Sequence, residues 1–347
     1  MIRKKITFAA ATLAVCVLTV LLLFYETYTS EAIRATLALF IGRVLPPLFP
    51  YMVLSRVIVS LDLLSPFGRR MNLPRLFRLP ESAASVFLTG LLCGFPVGAA
   101  GTCTLYENGG IGRQDAGRLT ALASNTSPAF LLGTVAALWN SRAYGVFLFA
   151  VQTVSALFLA FLAARLVPAD TDIRHGKESA SVRCGSFTEE LCLAVSESAS
   201  ACLTVCAYII FFRVLSVLFS QMIPVMTPVF SVLFEFSSGC ADGAAVGGYT
   251  GIFMTGFAVG SAGLSVMMQN YNFIGRYGIP TKVLWLTKVL QGLLCGTVSV
   301  LFYFVFPPDG GSTSVVFAES FSLNEGITVL SVLFLLSKLY KISNRVI

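Results

Sequence analysis

The chain is 347 residues long, 56% hydrophobic and only 12% charged, and its mean hydropathy is +0.82. Soluble domains carry about 25% charged residues, so this composition excludes a soluble globular protein and predicts roughly seven or eight membrane spans of about 20 residues each. The net charge of +7 is scattered along the chain, which argues against nucleic acid and suits anionic lipid or an anionic solute.

Enzymatic and metal chemistry find little support in the residue types. The single histidine, His175, lies in a charged loop, which excludes His-based triads and multi-His metal sites within this chain. Eight of the nine cysteines lie in apolar stretches and are expected to be packing residues. No phosphate-binding loop, nucleophile elbow or metal-ligand spacing occurs. We therefore expect no enzyme, no metal and no cofactor, and only a coupling ion, sodium or proton, would accompany function.

The first element predicted is a retained membrane span. Three basic residues at positions 3–5 precede an apolar run over 6–25, without a clear small-residue cleavage site, which favours an N-terminal helix (residues 1–31) with a cytoplasmic start. A second apolar segment, 32–64, contains Pro46, Pro47 and Pro50, which predict a bend or break. Four arginines over 69–78 are then expected in the cytoplasm.

The next apolar stretch, over residues 83–107, is interrupted by four glycines and a proline. A straight span gains little from so many helix breakers, whereas a re-entrant hairpin buried in protein tolerates them, so we predict such a hairpin here. The polar run Ser124–Pro128 then interrupts another apolar segment, and 142–167 reads as a plain span. Residues 32–167 form a first predicted unit, which the charged linker 168–190 separates from the second.

The second half of the chain echoes the first. Gly94–Gly101 reads GFPVGAAG, and 162 residues later Gly256–Gly263 reads GFAVGSAG. A Tyr-x4-Arg pattern and a Gly-Thr pair recur at similar offsets, 157 (Arg56 and Arg213) and 163 (Gly133 and Gly296). We interpret this as an internal duplication, with a second unit over 191–306, a second hairpin near 230–270, and a C-terminal loop and membrane helix over 307–347. Three spans and one hairpin per unit would invert the second copy relative to the first.

The candidate site residues follow from this architecture. Glycine-broken segments at matching places in two halves of a membrane protein point to a transporter's substrate site, where free helix N-termini suit carboxylates or phosphates. The competing interpretation is close helix packing through small residues. Polar side chains inside an apolar segment need a cavity, a ligand or protein partners. The predicted substrate-binding residues are Gly94, Pro96, Gly98, Asn125, Thr126, Ser127, Gly256, Gly260 and Ser261.

Three charged residues complete the set. Glu235 follows an apolar run, and an intramembrane carboxylate is by default a candidate ion or substrate contact, although a Glu at the interface has the same pattern. Arg56 and Arg213 are candidate anion contacts, and snorkelling to the interface explains them equally well.

At these residues the chain resembles a known family. Gly94–Gly98, Arg118-Leu119, Ser124–Phe130 and Gly133, followed by Gly256–Gly263 and Gln269, resemble the sporulation integral membrane proteins with nucleoside-recognition (gate) domains. The resemblance covers roughly residues 35–305, and Ala258 departs from it where the first copy has a proline. It implies an architecture related to concentrative nucleoside transporters and, from the family's stage V sporulation transporter, movement of dipicolinic acid across the outer forespore membrane of a bacterial cell.

The sequence thus predicts an all-α polytopic membrane protein with an internal, inverted repeat and two re-entrant helical hairpins. We expect it to bind a small anionic solute near the midplane, to contact the lipid bilayer, and to be a candidate for homo-oligomer formation. Two alternatives stay open. One is a nucleoside or nucleobase transporter of the same fold, and the other is a non-transporting scaffold of sporulation membranes.

Overall fold

A computed structural model describes residues 2–61, 63–64, 70, 73–167 and 187–306, and all regular structure within these ranges is helical. Three sequence predictions lie outside the described residues: most of the charged linker 168–190, the loop that holds His175, and the C-terminal loop and helix over 307–347. The predicted all-helical class is confirmed for the part of the chain that the structure describes.

Two N-terminal helices meet at a sharp bend. Helix α1 (Ile2–Phe24) is followed by α2 (Glu26–Leu39), and the axes of 8–24 and 26–42 differ by 88°. A π-helical turn, Phe40–Val44, leads into α3 (Leu45–Ser60), which has a proline in its first turn. Because proline lacks an N–H group, it is tolerated there, and the wider π turn accommodates the change in hydrogen bonding that the prolines predict.

A helical hairpin comes next. The short helix α4 (Leu73–Phe77) precedes α5 (Ala83–Cys93) and α6 (Val97–Glu107), which turn back on each other at residues 94–96. Val86 lies beside Gly101, and Ser82 Oγ donates to the Gly110 carbonyl oxygen at 3.4 Å, which fixes the pair as antiparallel. This hairpin coincides with the one predicted over 83–107.

A broken helix and a long helix follow the hairpin. Helix α7 (Arg113–Ala123) ends at a non-helical stretch, 124–127, before the chain resumes as a π-helical segment (Phe130–Val135) and α8 (Ala136–Leu138). Helix α9 (Arg142–Leu166) begins at Ser141, whose hydroxyl accepts a hydrogen bond from the Tyr144 N–H at 3.2 Å.

In the second half, a long first helix is followed by the same order of elements as in the first half, namely a hairpin, a broken helix and a long helix. Helix α10 (Phe187–Met222) and a 3-10 turn lead to a hairpin of α11 (Thr227–Phe234) and α12 (Phe236–Val246). The broken helix consists of α13 (Gly248–Ser261) and α14 (Gly263–Ile274), and the long helix is α15 (Lys282–Val305). Helix α10 has 36 residues and is therefore about 54 Å long, which is well beyond a hydrocarbon core of about 30 Å.

Four segments are long and apolar enough to cross a membrane, namely α9, α10, the broken helix 248–277 and α15, and the bent α1–α2 pair would make a fifth. The described residues therefore contain fewer full-length spans than predicted, because the prolines, glycines and polar residues divide several apolar stretches into shorter helices. The broken helix is 72% buried, against at most 39% for the other three, and so lies at the centre of the helical assembly.

The two octapeptides occupy different positions in this succession. Gly94–Gly101 begins at the turn of the first hairpin, whereas Gly256–Gly263 lies in α13 and ends at the break of the helix. The segment 230–270 likewise contains most of a hairpin with its turn at Glu235 and most of a broken helix, rather than the single hairpin predicted. Matching elements are instead about 140 residues apart, as the starts of α9 and α15 show.

Candidate functional site

Four interruptions of helical structure meet at one place in the protein. In the first half, the Phe95 N–H, at the turn of the first hairpin, donates to the Asn125 carbonyl oxygen in the break of the first broken helix at 2.8 Å. Gly94 has φ +81°, and a side chain there would lie 2.7 Å from the Ser127 nitrogen, so glycine is required both by its conformation and by the contact. The first hairpin turn and the first break are therefore joined.

The second half closes on itself in the same way. Gly263, at the break between α13 and α14, has φ +68°, and a Cβ there would lie 3.2 Å from the Phe236 nitrogen at the second hairpin turn. The halves also touch each other, because the Thr126 hydroxyl donates to the Val259 carbonyl oxygen at 3.2 Å. The Phe95 and Phe130 rings each lie against Phe236, with centroids 4.8 and 4.9 Å apart.

The first break is held open by an amide on α9. Gln152 accepts a hydrogen bond from the Thr126 N–H at 3.1 Å and donates one to the Thr126 carbonyl oxygen at 2.6 Å. An interrupted helix leaves backbone groups that would be costly to bury without partners. Gln152 supplies both partners at once, which lets the chain cross the protein interior without helical hydrogen bonds at this point.

A lysine from the opposite half reaches the same break. Lys288, on α15, is only 2% exposed, and its ammonium group donates to the Ser124 carbonyl oxygen and, at 2.7 Å, to Gln291 Oε1. Both acceptors are uncharged, and no ion pair among the described residues includes Lys288. Gln291 in turn donates to Asn125 Oδ1 at 3.1 Å. The amine of Lys288 is therefore buried beside the break, with only neutral oxygens as hydrogen-bond acceptors.

Two further polar groups at this centre have unused hydrogen-bonding capacity. Asn270, on α14, donates to Ser124 Oγ at 2.6 Å, while its own Oδ1 is buried and has no partner. Ser261 Oγ, at the end of α13, is also buried without a partner. We call the polar set at this crossing the break cluster; its members are Ser124, Asn125, Thr126, Gln152, Asn270, Lys288 and Gln291.

A second buried cation lies next to the break cluster. Arg118, on α7, is 4% exposed and pairs with Asp115, but its Nε and Nη1 atoms have no hydrogen-bond partner among the described residues. Arg118 and Gln291 both line a cavity of about 10 Å³. Such a volume holds at most one water molecule, so the space that Arg118 and Gln291 line has no room for an organic solute in this structure.

The predicted site residues divide into two groups. Residues at the interruptions, namely Gly94, Pro96, Asn125, Thr126, Ser127 and Ser261, are brought together. The remaining glycines lie where two helices touch: a Cβ on Gly98 would be 2.3 Å from the Ala123 carbonyl oxygen, one on Gly256 2.6 Å from Ser299 Oγ, and one on Gly260 2.5 Å from the Gln291 carbonyl oxygen. For these three the geometry is that of close helix packing, and a role in binding stays a prediction.

The charged candidates are separated from one another. Glu235 is buried at the second hairpin turn, where its carboxylate accepts hydrogen bonds from the N–H groups of Ser237 and Ser238 at 3.2 and 2.8 Å and caps α12. Arg56 pairs with Glu197 at a different cavity, and Arg213 lies partly buried on α10. Neither arginine is part of the break cluster.

Sequence reasoning missed the lysine and three amides of the break cluster. Lys288, Gln291 and Gln152 sit singly in apolar helices, where the rule that an intramembrane polar residue marks function could have identified all three. Their convergence could not be predicted, because it depends on how α9, α14 and α15 pack around the first break.

Comparison with known proteins gives one informative similarity. The sporulation integral membrane protein YlbJ of Bacillus subtilis (strain 168) is 31% identical over 113 residues, which is 30% of this chain and 26% of that protein. The matched stretch thus spans about a quarter of the relative. No family model and no solved structure matches the chain. Together with the apolar helices, the similarity supports an integral membrane protein with a sporulation-related homologue.

Proposed function

We propose that the protein is a membrane transporter that binds a small anionic solute at the break cluster. The observation that carries this proposal is the buried amine of Lys288, which donates to the Ser124 carbonyl oxygen at the end of an interrupted helix and to a glutamine but to no carboxylate among the described residues. Burying a charge without a counter-charge is unfavourable, by several kcal/mol even after relaxation. An anionic ligand would supply that counter-charge, and intramembrane ionisable residues commonly mark solute or ion pathways.

The discontinuous elements supply a route by which such a site could open. Each half has a hairpin whose turn lies against a break, and the two hairpins contact each other through Phe95 and Phe236 at their turns. Separation of the turns would admit solute to the break cluster from one side of the membrane. We propose that the two successions of hairpin, broken helix and long helix form an inverted pair of re-entrant units, which would allow alternating access about a fixed site.

For the solute, we propose dipicolinic acid, moved across the outer forespore membrane during sporulation. Dipicolinate is a flat dianion. Buried Lys288 donates to Gln291, and Gln291 lines a small cavity together with buried Arg118, which also pairs with Asp115, so two basic residues lie near this glutamine. The amides of Asn125 and Asn270 could contact the ring nitrogen or the carboxylate edges. The sporulation-related homologue supports the physiological setting, and a coupling ion is not identified by any described contact.

The decisive experiment is solute uptake into liposomes that contain the purified protein. We expect dipicolinate uptake by the wild type, a loss of at least about tenfold in Lys288→Met, and near-normal uptake in Lys282→Met. Lys282 is the matched control because it is an exposed lysine at the start of the same helix. Equal uptake by the Lys288→Met variant and the wild type would refute the proposed role of the lysine.

A nucleoside or nucleobase is the second candidate, because the break cluster contains four side-chain amides, and amides pair well with base edges. Uridine uptake that survives Lys288→Met would select this candidate. If folded protein moves neither solute, transport by this chain alone is refuted, and the scaffold alternative is favoured.

A further inference from the structure

A second, larger cavity lies apart from the break cluster. It has a volume of about 580 Å³ and is bounded by α3, α6, α10 and the end of α14. We call it the α14 cavity. None of the seven break-cluster residues lines it, and its size suits a small organic molecule rather than one or two waters.

Helix α14 separates the two places. Asn270 faces the break cluster, whereas Asn272, Phe273 and Arg276 line the α14 cavity. Successive residues of an α-helix are about 100° apart, so position 272 lies about 200° from position 270, on the far side of the helix, and Arg276 follows in the 3-10 turn Gly275–Tyr277. A ligand in the α14 cavity would therefore contact one face of the helix whose other face bonds to the first break.

The charged side chains of the α14 cavity differ in whether they have an ion-pair or hydrogen-bond partner. The carboxylate of Glu197 pairs with Arg56, and that of Glu107 accepts from the Tyr277 hydroxyl. Arg276 has no such partner: its Nε donates to the Phe273 carbonyl oxygen at 3.5 Å, and the guanidinium lies 5.3 Å from the Tyr277 ring centroid.

Both guanidinium groups at this cavity keep N–H groups that no described residue accepts. Arg56 Nε is buried without a partner, and Arg276, whose side chain is exposed, makes only the 3.5 Å hydrogen bond to Phe273 among the described residues. Arg56 Nη1 donates to the Thr104 hydroxyl at 3.3 Å, which holds that guanidinium against the cavity wall. Both carboxylates already have a partner, whereas both guanidinium groups have spare N–H groups. This favours a ligand that brings acceptor oxygens and negative charge.

We infer that the α14 cavity is a second anion-binding site, for a compact carboxylate- or phosphate-bearing molecule, in which Arg276 is the main recognition residue. The inference does not depend on transport at the break cluster. Its ligand could be a dissolved anion or the headgroup of an anionic lipid, since both present the same oxygens.

Native Cys103 provides a reporter, because it lines the same cavity. We would compare its rates of modification by two methanethiosulfonate reagents of similar size, one anionic (sulfonatoethyl) and one cationic (trimethylammonioethyl), with mass spectrometry of the Cys103 peptide. The ratio of the two rates cancels the reactivity of the thiolate itself. A Thr204→Cys variant places a second reporter on the α10 side.

We expect both reporters to favour the anionic reagent by about tenfold, and Arg276→Gln to reduce that preference by at least about threefold. Arg165→Gln is the matched control, because Arg165 also lies over an aromatic ring, at 4.4 Å from the Phe161 centroid, but outside the cavity. No preference for the anionic reagent at either reporter, or a preference unchanged by Arg276→Gln, would overturn the inference.

The source of the ligand is decided in nanodiscs. Inorganic phosphate or pyridine-2,6-dicarboxylate should slow modification in neutral phosphatidylcholine if the site takes dissolved anions, whereas phosphatidylglycerol alone should slow it if the site takes lipid. Protection by neither would overturn the inference. Protection that persists in Lys288→Met, together with lost uptake, would show that the two sites are separate.

Discussion

Phe95 and Phe236 pack edge to face, with ring centroids 4.8 Å apart and an interplanar angle of 86°. Each ring stands at the turn of a helical hairpin, one in each half of the chain, so this contact is the point at which the two hairpins meet above the breaks. Aromatic pairs of this geometry contribute about 0.5–1.5 kcal/mol beyond their burial. That is weak enough for the two turns to separate in the proposed transport.

We therefore expect a covalent link between the two turns to stop transport. In Phe95→Cys/Phe236→Cys, oxidation or a short bifunctional thiol reagent should join the turns and abolish uptake, and reduction of the disulfide should restore it. The single variants, which retain the native cysteines, serve as controls and should be unaffected. Full uptake by quantitatively cross-linked protein would show that the turns do not separate.

Gly98 is expected to be a packing residue whose replacement destabilises the fold. A Cβ at this position would lie 2.3 Å from the Ala123 carbonyl oxygen, so Gly98→Ala should force α6 away from α7 and cost about 1–3 kcal/mol. Gly133→Ala is the matched control, because no atom lies within 4 Å of its Cβ position. Thermal unfolding in detergent measures both. A Gly98→Ala variant as stable as Gly133→Ala would contradict the close approach of the two helices.

The sequence revealed the interruptions better than their arrangement. Helix breakers and polar runs act locally, through lost N–H groups and competing hydrogen bonds, so Gly94 and Ser124–Pro128 could be recognised as breaks without knowledge of the fold. The octapeptide repeat was misleading, because glycine serves a hairpin turn at Gly94 but helix packing at its counterpart Gly256.

The partners of single polar residues could not be predicted from the sequence, for a different reason. Lys288 and Ser124 are 164 residues apart, and their contact depends on how α15 packs against the first broken helix. A lone lysine in an apolar helix predicts that some partner exists, but nothing local in the sequence says which oxygen it will meet.

Gln152 is expected to stabilise the first break. Gln152→Met removes the acceptor for the Thr126 N–H and the donor to its carbonyl oxygen, leaving two buried backbone groups without their partner. At about 1–3 kcal/mol for each of the two unsatisfied groups, the loss should be about 2–6 kcal/mol. Gln221→Met, at the end of α10, is the control and should change stability by less than about 1 kcal/mol. Unfolding in a denaturing detergent titration measures the difference. Equal stability of the two variants would contradict a stabilising role for the two Gln152–Thr126 hydrogen bonds.

Glu235 combines a structural contact with a predicted ionic one, and neutral substitution separates them. Its carboxylate caps α12 by accepting from the Ser237 and Ser238 N–H groups, so Glu235→Ala should cost about 1–2 kcal/mol of stability, as for other helix caps. Glu235→Gln keeps an oxygen that can accept these hydrogen bonds and should remain closer to the wild type in stability. It removes the negative charge, so if Glu235 contacts a coupling ion, only this function is lost.

We expect Glu235→Gln to fold and to move solute without stimulation by a sodium or proton gradient, whereas the wild type should respond to one of the two. The matched control is Asp242→Asn in the same hairpin, where the carboxylate accepts from the Ser231 hydroxyl and does not cap a helix. Uptake would be measured in liposomes with a sodium gradient, a proton gradient or neither. Unchanged gradient dependence in Glu235→Gln would leave the residue with its capping role alone, and loss of the dependence in Asp242→Asn instead would move the ion contact to that carboxylate.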